Sequence, residues 1–329
     1  MRYFYLIKHF IYVFAKDIRN KISIKRPLKD KIKNMKTIPK KNDELRINNN
    51  FQITKERLDN FYIKSPLFEF IKKNKIEIFN NLLKIMDEYD FKLKIGIEIE
   101  FYAINQPPNS IKEMGNGQYE IQMLPYKDLN ELVRDFNKIK ESDADFSAKP
   151  HENDCPSALQ INLSLERDGK NLFARGEDEN SLILNCIAGL LKNINNNLLL
   201  YIKDEKCLNR YNIDFNKKIH SMGKYPAPTF ISWGINNRTA AIRIPTPKDF
   251  KNYKKIDELE RRIEFRVPSS DADIYLVLIG VISSIIEGIE NNLEPIDKTS
   301  FNILEKNENL TLIETDINKL NSLFRINEN

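Results

Sequence analysis

The sequence has few of the residues that build disulfide frameworks and zinc sites. It contains three cysteines and three histidines among 329 residues. Cys155, Cys186 and Cys207 are odd in number and lack C-x-x-C spacing, and the histidines are scattered at positions 9, 151 and 220. This pattern excludes a disulfide-stapled domain and a Cys/His zinc centre, and it indicates a reducing, cytoplasmic location.

Long apolar segments are absent as well. A helix that crosses a bilayer needs about 20 apolar residues. The longest apolar run, residues 274–286, is shorter and includes Ser283 and Ser284. The apolar and aromatic residues 3–15 are interrupted by Lys8 and His9, and no small-residue cleavage site follows them. We therefore expect neither a membrane span nor a signal peptide.

Excess charge is confined to one end of the chain. Residues 1–41 hold thirteen Lys and Arg against two Asp, a local charge of +11. Since the whole chain carries +5, residues 42–329 carry −6, which disfavours a nucleic-acid-binding surface. We expect residues 1–41 to form a poorly ordered basic arm, which is partly an artefact if translation starts at Met35.

A strand with two carboxylates on one face stands out against these absences. In residues 94–103, apolar side chains alternate with other residues, which is the period of two of a half-buried strand. Glu98 and Glu100 therefore point to the same side, about 7 Å apart at a rise of about 3.3 Å per residue. Like charges this close repel unless a cation neutralises them. For these two residues alone, an ordinary solvated strand face is the alternative.

Later segments repeat this arrangement of one apolar face and one polar face. The polar positions are Gln118, Glu120 and Gln122, with Glu113 before them; Gln160, Asn162 and Ser164; Arg238 and Arg243; and Arg262, Glu264 and Arg266. Ionisable groups at this density cost too much in desolvation to fill a core. We therefore predict an α+β fold: a curved antiparallel sheet with helices on its outer face and a charged site on its concave face.

Apolar residues at helical spacing predict helices on both sides of the sheet strands. Residues 178–203 and 272–288 each predict one long helix. The predicted organisation is a basic arm (1–41), a helical lead-in (42–93), the sheet-bearing domain (94–290) and a short helical tail (291–329).

Five motifs occur in a characteristic order. They are Gly96-x-Glu98-x-Glu100-Phe101, Glu113-x-x-x-Gly117-Gln118-x-Glu120, Phe146-x-x-Lys149-Pro150, Asn237-Arg-Thr-Ala-x-Ile-Arg-Ile-Pro245 and Arg261-Arg-Ile-Glu-x-Arg266. Together they resemble the catalytic domain of the glutamine synthetase family, and the likeness covers residues 94–290. It implies a ligase of nitrogen metabolism, active in glutamine biosynthesis, that uses ATP to phosphorylate the side chain of glutamate and lets ammonia or another amine displace the phosphate.

The resemblance also implies a role for each matching residue. Mg²⁺ or Mn²⁺ would be held at two sites, one formed by Glu100, Glu113 and Glu120, the other by Glu98, Gln160 and Glu264. Arg238 and Arg243 would neutralise the phosphate in flight, Arg262 and Ser164 would bind the nucleotide and its phosphates, and Arg266 and His220 would contact the amino-acid substrate.

Several positions depart from the family pattern. Gln160 and Asn162 stand where the family has histidines, and His220 stands where it has an arginine that holds the substrate carboxylate. Pro226 replaces the glutamate that guards the amine site. We find no equivalent of the family's amino-terminal β-grasp domain, and a homo-oligomer remains open. The nucleotide and metal half therefore matches the family better than the glutamate and ammonia half.

Two functions are compatible with a site whose nucleotide and metal half matches the family better than its glutamate and ammonia half. The first is an ATP-dependent carboxylate–amine ligase acting on glutamate or a related acid, with ammonia or another amine as acceptor. The second is a catalytically silent homologue that keeps a nucleotide and metal site.

Overall fold

The computed structural model describes residues 66–174, 181–245, 260–307 and 309–323. The predicted basic arm, Met35 and the first part of the helical lead-in lie outside these residues. The strands are β1 (Lys92–Tyr102), β2 (Ser110–Lys112), β3 (Gln118–Tyr126), β4 (Leu159–Arg167), β5 (Lys170–Asn171), β6 (Trp233–Ile235), β7 (Ile242–Ile244) and β8 (Ile263–Phe265). The α-helices are α1 (Pro66–Lys73), α2 (Lys75–Glu88), α3 (Leu129–Lys140), α4 (Ser181–Asn193), α5 (Ile213–Ser221), α6 (Ile274–Glu290) and α7 (Ile317–Leu323).

The strands form one mixed sheet in the order β2-β3-β1-β4-β8-β7-β6, with β5 paired to β4. The pairs of β1 with β3 and β4, and of β8 with β4 and β7, are antiparallel. The predicted α+β fold is thus confirmed, with one exception in strand direction. β6 and β7 run parallel because the link of residues 236–241 returns the chain to the end where β6 began, instead of reversing it.

One face of the central strands is apolar and buried. Ile95, Ile97 and Ile99 of β1 are at most 1% exposed, and Leu163 and Leu165 of β4 are fully buried. Removing such a side chain from water stabilises the fold by about 1.5–3 kcal/mol. The predicted alternation in both strands is confirmed, and it leaves the opposite face for polar residues.

Helix α6 packs against both α2 and α4. A Cβ atom on Gly189 of α4 would lie 2.0 Å from the carbonyl oxygen of Ser284 in α6, so only glycine allows this approach. The ring of Tyr201 packs edge to face on Phe265 of β8, with centroids 5.2 Å apart. Tyr201 also lies against Gly280 of α6, which links the helices to the sheet.

The helix predicted over residues 178–203 is shorter in the structure. It ends at Asn193, and a 3₁₀ turn at Leu198–Leu200 follows. Asn193 and Asn197 donate side-chain hydrogen bonds to the carbonyl oxygens of Gly189 and Gly280. The Asn193 bond is made within its own helix, where it competes with the backbone hydrogen bonds and favours an early end. The Asn197 bond holds the following turn against α6.

Within the four described ranges, no helix has the length and apolar character that a bilayer crossing requires. The apolar helix α6 is instead buried inside the protein.

Candidate active site

Strand register places the predicted polar residues in rows across one face of the sheet. Glu98 of β1 lies opposite Gln122 of β3 on one side and opposite Gln160 of β4 on the other. Glu100 lies opposite Glu120. Because side chains alternate strictly along each strand, every member of these rows points away from the apolar core.

A second row crosses the other half of the sheet. Asn162 of β4 lies opposite Glu264 of β8, which in turn lies opposite Arg243 of β7. All three are at most 9% exposed. The structure therefore brings the predicted carboxylates and the predicted arginines onto one continuous surface.

Three carboxylates are electrostatically coupled around β1 and β3. Burial raises the pKa of Glu100 to about 7, with a further rise from the charge of Glu113. Burial also raises the pKa of Glu120 to about 9, and the charges of Glu98, Glu100 and Glu113 add to this rise. The pKa of Glu113 is likewise raised by burial. The ionised cluster is thus unfavourable by itself and favours either protons or a cation.

Hydrogen bonds fix the orientation of Glu100. One carboxylate oxygen accepts from the backbone N–H of Ala158 at 2.7 Å, and the other accepts from the side-chain amide of Gln160 at 3.1 Å. Each carboxylate oxygen has two lone pairs, so both oxygens retain one acceptor position for a ligand.

Glu98 is held in a similar way by the next amide along β4. Asn162 Nδ2 donates to Glu98 Oε1 at 3.0 Å. Burial raises the pKa of Glu98, and the charge of Glu264 raises it further, whereas Arg262 and the Asn162 hydrogen bond lower it. The side-chain amides of Gln160 and Asn162 therefore both donate to carboxylates of β1.

Glu264 lies between two arginines. Arg243 Nη1 donates to Glu264 Oε2 at 2.8 Å, and Arg266 Nε lies 3.3 Å from Glu264 Oε1. The second contact is an ion pair without the alignment of a hydrogen bond, since Arg266 Nε has no hydrogen-bond partner. Burial lowers the pKa of both Arg243 and Arg266, and Glu264 opposes that shift in each.

Arg238 and Arg262 complete the basic half of the surface. Arg262 Nε donates to Asn162 Oδ1 at 2.8 Å. Arg238 is exposed, with its guanidinium over the ring of Tyr225 at 5.0 Å. Its backbone carbonyl accepts a hydrogen bond from Arg266 Nη1. Arg238 is therefore a cationic side chain that solvent and ligands can reach, held on an anchored backbone.

Two predicted site residues have other neighbours. Ser164 lies on the polar face of β4, opposite Lys94 in β1. His220 lies in the last turn of α5, where its Nε2 is 2.7 Å from Asn302 Nδ2 and 3.6 Å from a carboxylate oxygen of Glu305. The contacts of His220 are thus to the segment before α7, and none of these partners is a predicted site residue.

The two predicted metal sites differ in how well their residues suit a cation. Among the residues that the structure describes, no three His, Cys, Asp or Glu side chains converge as a preformed site. Glu100, Glu113 and Glu120 form an all-oxygen set with mutual repulsion, which suits a hard divalent cation. The second set does not fit, because Gln160 directs its amide nitrogen at Glu100 and both oxygens of Glu264 face arginines.

Sequence reasoning missed two buried charged residues beside the site. Asp154 accepts hydrogen bonds from Asn116 N–H and from Lys224 Nζ. Arg210 is 1% exposed and donates to the carbonyl oxygens of Arg266 and Val267. Neither lies in a strand, so the alternation that revealed the other residues gave no signal for them.

The comparison with protein families covers most of the described chain. The model of the glutamine synthetase catalytic domain matches residues 106–322. The glutamine synthetase of Pyrococcus horikoshii is 27% identical over 280 residues, which are 78% of this chain and 58% of that protein. The glutamine synthetase of Clostridium saccharobutylicum is 33% identical over 168 residues, 50% of this chain and 34% of that protein.

A relative with another named activity is similar to the same degree. Gamma-glutamylputrescine synthetase PuuA of Escherichia coli (strain K12) is 29% identical over 209 residues, 60% of this chain and 40% of that protein. The chain therefore spans between about a third and three fifths of the length of these three relatives.

Two solved structures share the fold at low sequence identity. A GmaS/ADP complex superposes with a TM-score of 0.55 at 17% identity and covers 75% of this chain and 66% of that chain. A novel glutamine synthase homolog superposes with a TM-score of 0.56 at 15% identity and covers 76% and 64%. This likeness shows a shared fold, and the match over residues 106–322 shows that the chain belongs to the glutamine synthetase family through its catalytic domain.

Proposed function

We propose that the protein is an ATP-dependent ligase that joins a carboxylate to an amine through an acyl-phosphate intermediate. The observation that carries this proposal is the single sheet face on which carboxylates around Glu100 meet arginines around Glu264. Phosphoryl transfer depends mostly on positioning and on neutralising the charge of the phosphate oxygens, and this surface offers groups of both signs for that purpose.

The exposed and the buried arginines would contact different parts of the substrates. Arg238 is exposed and free to contact the transferred phosphate, and Arg243 approaches the same region from β7. A guanidinium fork suits two phosphate oxygens at once. Arg262, half-buried immediately before β8, would contact the nucleotide phosphates beside Ser164. Arg266, anchored to the carbonyl of Arg238, would contact the acid substrate.

Glu100, Glu113 and Glu120 would hold Mg²⁺ or Mn²⁺. When bound, the cation would neutralise charge on the reacting carboxylate and phosphate. The residues themselves fix the geometry, since Ala158 and Gln160 orient Glu100 before any ligand arrives.

The acid substrate is glutamate or a related acid, and the amine is left open between ammonia and a larger amine. Pro226 has no side-chain group that accepts a proton, so the acceptor would arrive neutral or lose its proton to another base. The similarity to a gamma-glutamylputrescine synthetase supports testing amines larger than ammonia.

A catalytically silent homologue is the second candidate, and one observation favours it. The amides of Gln160 and Asn162 satisfy Glu100 and Glu98 without a metal, and Glu264 is neutralised by arginines. A surface arranged in this way would bind nucleotide phosphates with its arginines and not turn over.

Phosphate release from ATP decides between the two functions. The assay contains Mg²⁺ or Mn²⁺ and glutamate, with ammonia, hydroxylamine or one of a panel of amines as acceptor. Arg238→Gln removes an exposed charge and should lower amine-dependent release by about 100-fold. The matched control is Arg134→Gln on α3. The Arg134 side chain is 61% exposed, and its substitution should leave phosphate release unchanged. Saturable ATP binding without release would establish the silent homologue instead.

A further inference from the structure

Asp154 joins three separate segments that border the carboxylate cluster. Its Oδ2 accepts from the backbone N–H of Asn116 at 2.8 Å. Asn116 lies in the turn of residues 114–117 that follows Glu113, called the Glu113 turn below. Its Oδ1 accepts from the N–H of Cys155 at 2.8 Å and from Lys224 Nζ at 2.5 Å. Lys224 directly precedes Tyr225, whose ring lies under Arg238.

The Asp154–Lys224 pair is largely withdrawn from solvent. The side chains are 13% and 21% exposed, respectively. Although burial alone would raise the pKa of Asp154, the hydrogen bonds from Lys224, Asn116 and Cys155 lower it. A charge pair in such a place is costly to desolvate and is retained only with good hydrogen-bond geometry, which these contacts supply.

The segment that begins at Asp154 continues these links to β1 and β3. Tyr102 Oη donates to the carbonyl of Cys155 at 2.9 Å, and Gln118 Nε2 donates to the carbonyl of Pro156 at 3.1 Å. The segment then reaches Ala158, whose N–H binds Glu100. One short stretch of chain therefore connects the Glu113 turn to the carboxylate of Glu100.

The Glu113 turn is itself tightly enclosed. Its Gly115 N–H donates to Gln118 Oε1 at 3.0 Å, and a Cβ atom on Gly115 would lie 2.2 Å from Tyr102 Oη. These contacts leave the turn little room to adopt another conformation. Its attachment to Asp154 fixes the position from which Glu113 approaches the cluster.

We propose that Asp154 is a positioning residue that, through its ion pair with Lys224 and its hydrogen bond to the Asn116 amide, holds the Glu113 turn in place beside Glu100. This inference rests on the proposed function for its effect on cation binding, but the geometry of the turn can be tested by itself. Asp154 acts through Asn116 and does not contact the reacting groups.

The test compares Asp154→Asn with Glu152→Gln. Both remove one negative charge from the same segment, but Glu152 is 86% exposed and pairs with Lys149. In Asp154→Asn, deuterium exchange at the amides of residues 115–118 should accelerate about tenfold, and Mn²⁺ affinity should fall about tenfold. Glu152→Gln should change neither quantity. Mn²⁺ affinity is measured by the EPR signal of the free ion, well below the unfolding temperature.

A second comparison separates positioning from general stability. Asp154→Asn/Lys224→Met leaves no unpaired buried charge, so it should recover most of the thermal stability lost in Asp154→Asn. The fast exchange and weak Mn²⁺ binding should persist, because the full set of hydrogen bonds from Asn116, Cys155 and Lys224 is still missing. If Asp154→Asn does not fold, Lys224→Met takes its place in the measurements of amide exchange at residues 115–118 and of Mn²⁺ affinity.

The outcomes are distinct for the two proposals. Recovery of Mn²⁺ affinity together with stability in the double variant would overturn the positioning role, and so would unchanged exchange at residues 115–118 in both Asp154 variants. If the wild-type protein binds no Mn²⁺, the proposed cation site fails, while the exchange measurement still decides whether Asp154 holds the turn.

Discussion

Asn162 lies directly between Glu98 and Arg262 and hydrogen-bonds to both. Its amide nitrogen donates to Glu98 Oε1 at 3.0 Å, and its oxygen accepts from Arg262 Nε at 2.8 Å. An amide can do this because it carries donors and an acceptor on one planar group. Asn162 therefore connects the carboxylate half of the surface to the arginine half without adding charge.

Asn162→Leu should destabilise the protein. The leucine branches at the same carbon but leaves Glu98 and Arg262 without this partner, which typically costs about 1–3 kcal/mol for a buried polar group. We expect the free energy of unfolding in urea to fall by that amount. Asn130→Leu, at an exposed position of α3, is the control and should change it by less than about 0.5 kcal/mol. Equal effects at the two positions would show that the hydrogen bonds of Asn162 to Glu98 and Arg262 contribute nothing to stability.

The buried carboxylates predict how stability depends on pH. The pKa is raised by burial to about 7 in Glu100 and to about 9 in Glu120, against about 4.3 for an unfolded glutamate. The folded protein thus keeps protons that the unfolded chain releases. This contribution to stability is complete below a pH of about 4.3 and is lost as pH rises through the folded pKa values.

Metal-free protein should therefore become less stable as pH rises from about 4.3 to about 9, as measured by urea unfolding in EDTA. Mn²⁺ binds the ionised carboxylates, so its stabilising effect should grow over the same range. Glu120→Gln, which cannot titrate, should flatten the pH dependence in EDTA and weaken Mn²⁺ binding. If that variant keeps the wild-type slope, Glu120 is not the group that titrates.

The sequence was sufficient to predict the faces of the central strands. Strict alternation in β1 and β4 determines the face to which each side chain points, so the sequence alone predicts that Glu98, Glu100 and Gln160 share one face. The direction of individual hydrogen bonds could not be predicted in the same way. Gln160 lies opposite Glu98 in register but donates to Glu100, because rotation of a side chain is not encoded in strand periodicity.

Features that depend on loops were also beyond the sequence pattern. The parallel pairing of β6 and β7 depends on the path of residues 236–241, and the contacts of Asp154 depend on where two turns meet. His220 shows the limit of carrying a role over by position alone. Its partners Asn302 and Glu305 lie more than eighty positions along the chain, and no local pattern indicates them.

Gln160→His tests whether the second predicted metal position can be restored. Imidazole is a better ligand for Mn²⁺ than a neutral amide, so the affinity for Mn²⁺ beside Glu98 should rise on the order of tenfold in the variant from the weak level expected of the wild type. The measurement is a Mn²⁺ titration followed by the EPR signal of the free ion. Glu264 opposes the gain, because Arg243 and Arg266 already neutralise it.

The control for this prediction is Gln122→His, because Gln122 lies opposite Glu98 on the other side of β1. It adds the same imidazole to the same face on β3, which carries Glu120 of the first predicted site and no residue of the second; the Gln122 amide that it replaces donates to Glu120 at 2.8 Å. Tighter Mn²⁺ binding in Gln160→His alone would assign position 160 to the second metal site, since β4 lies between β1, which carries Glu98, and β8. Equal tightening in both variants would mean that an imidazole on either strand adds a ligand, and position 160 would not be assigned. No tightening in either variant would mean that the arginines around Glu264 take the place of the second cation as the positive charge of this half of the site.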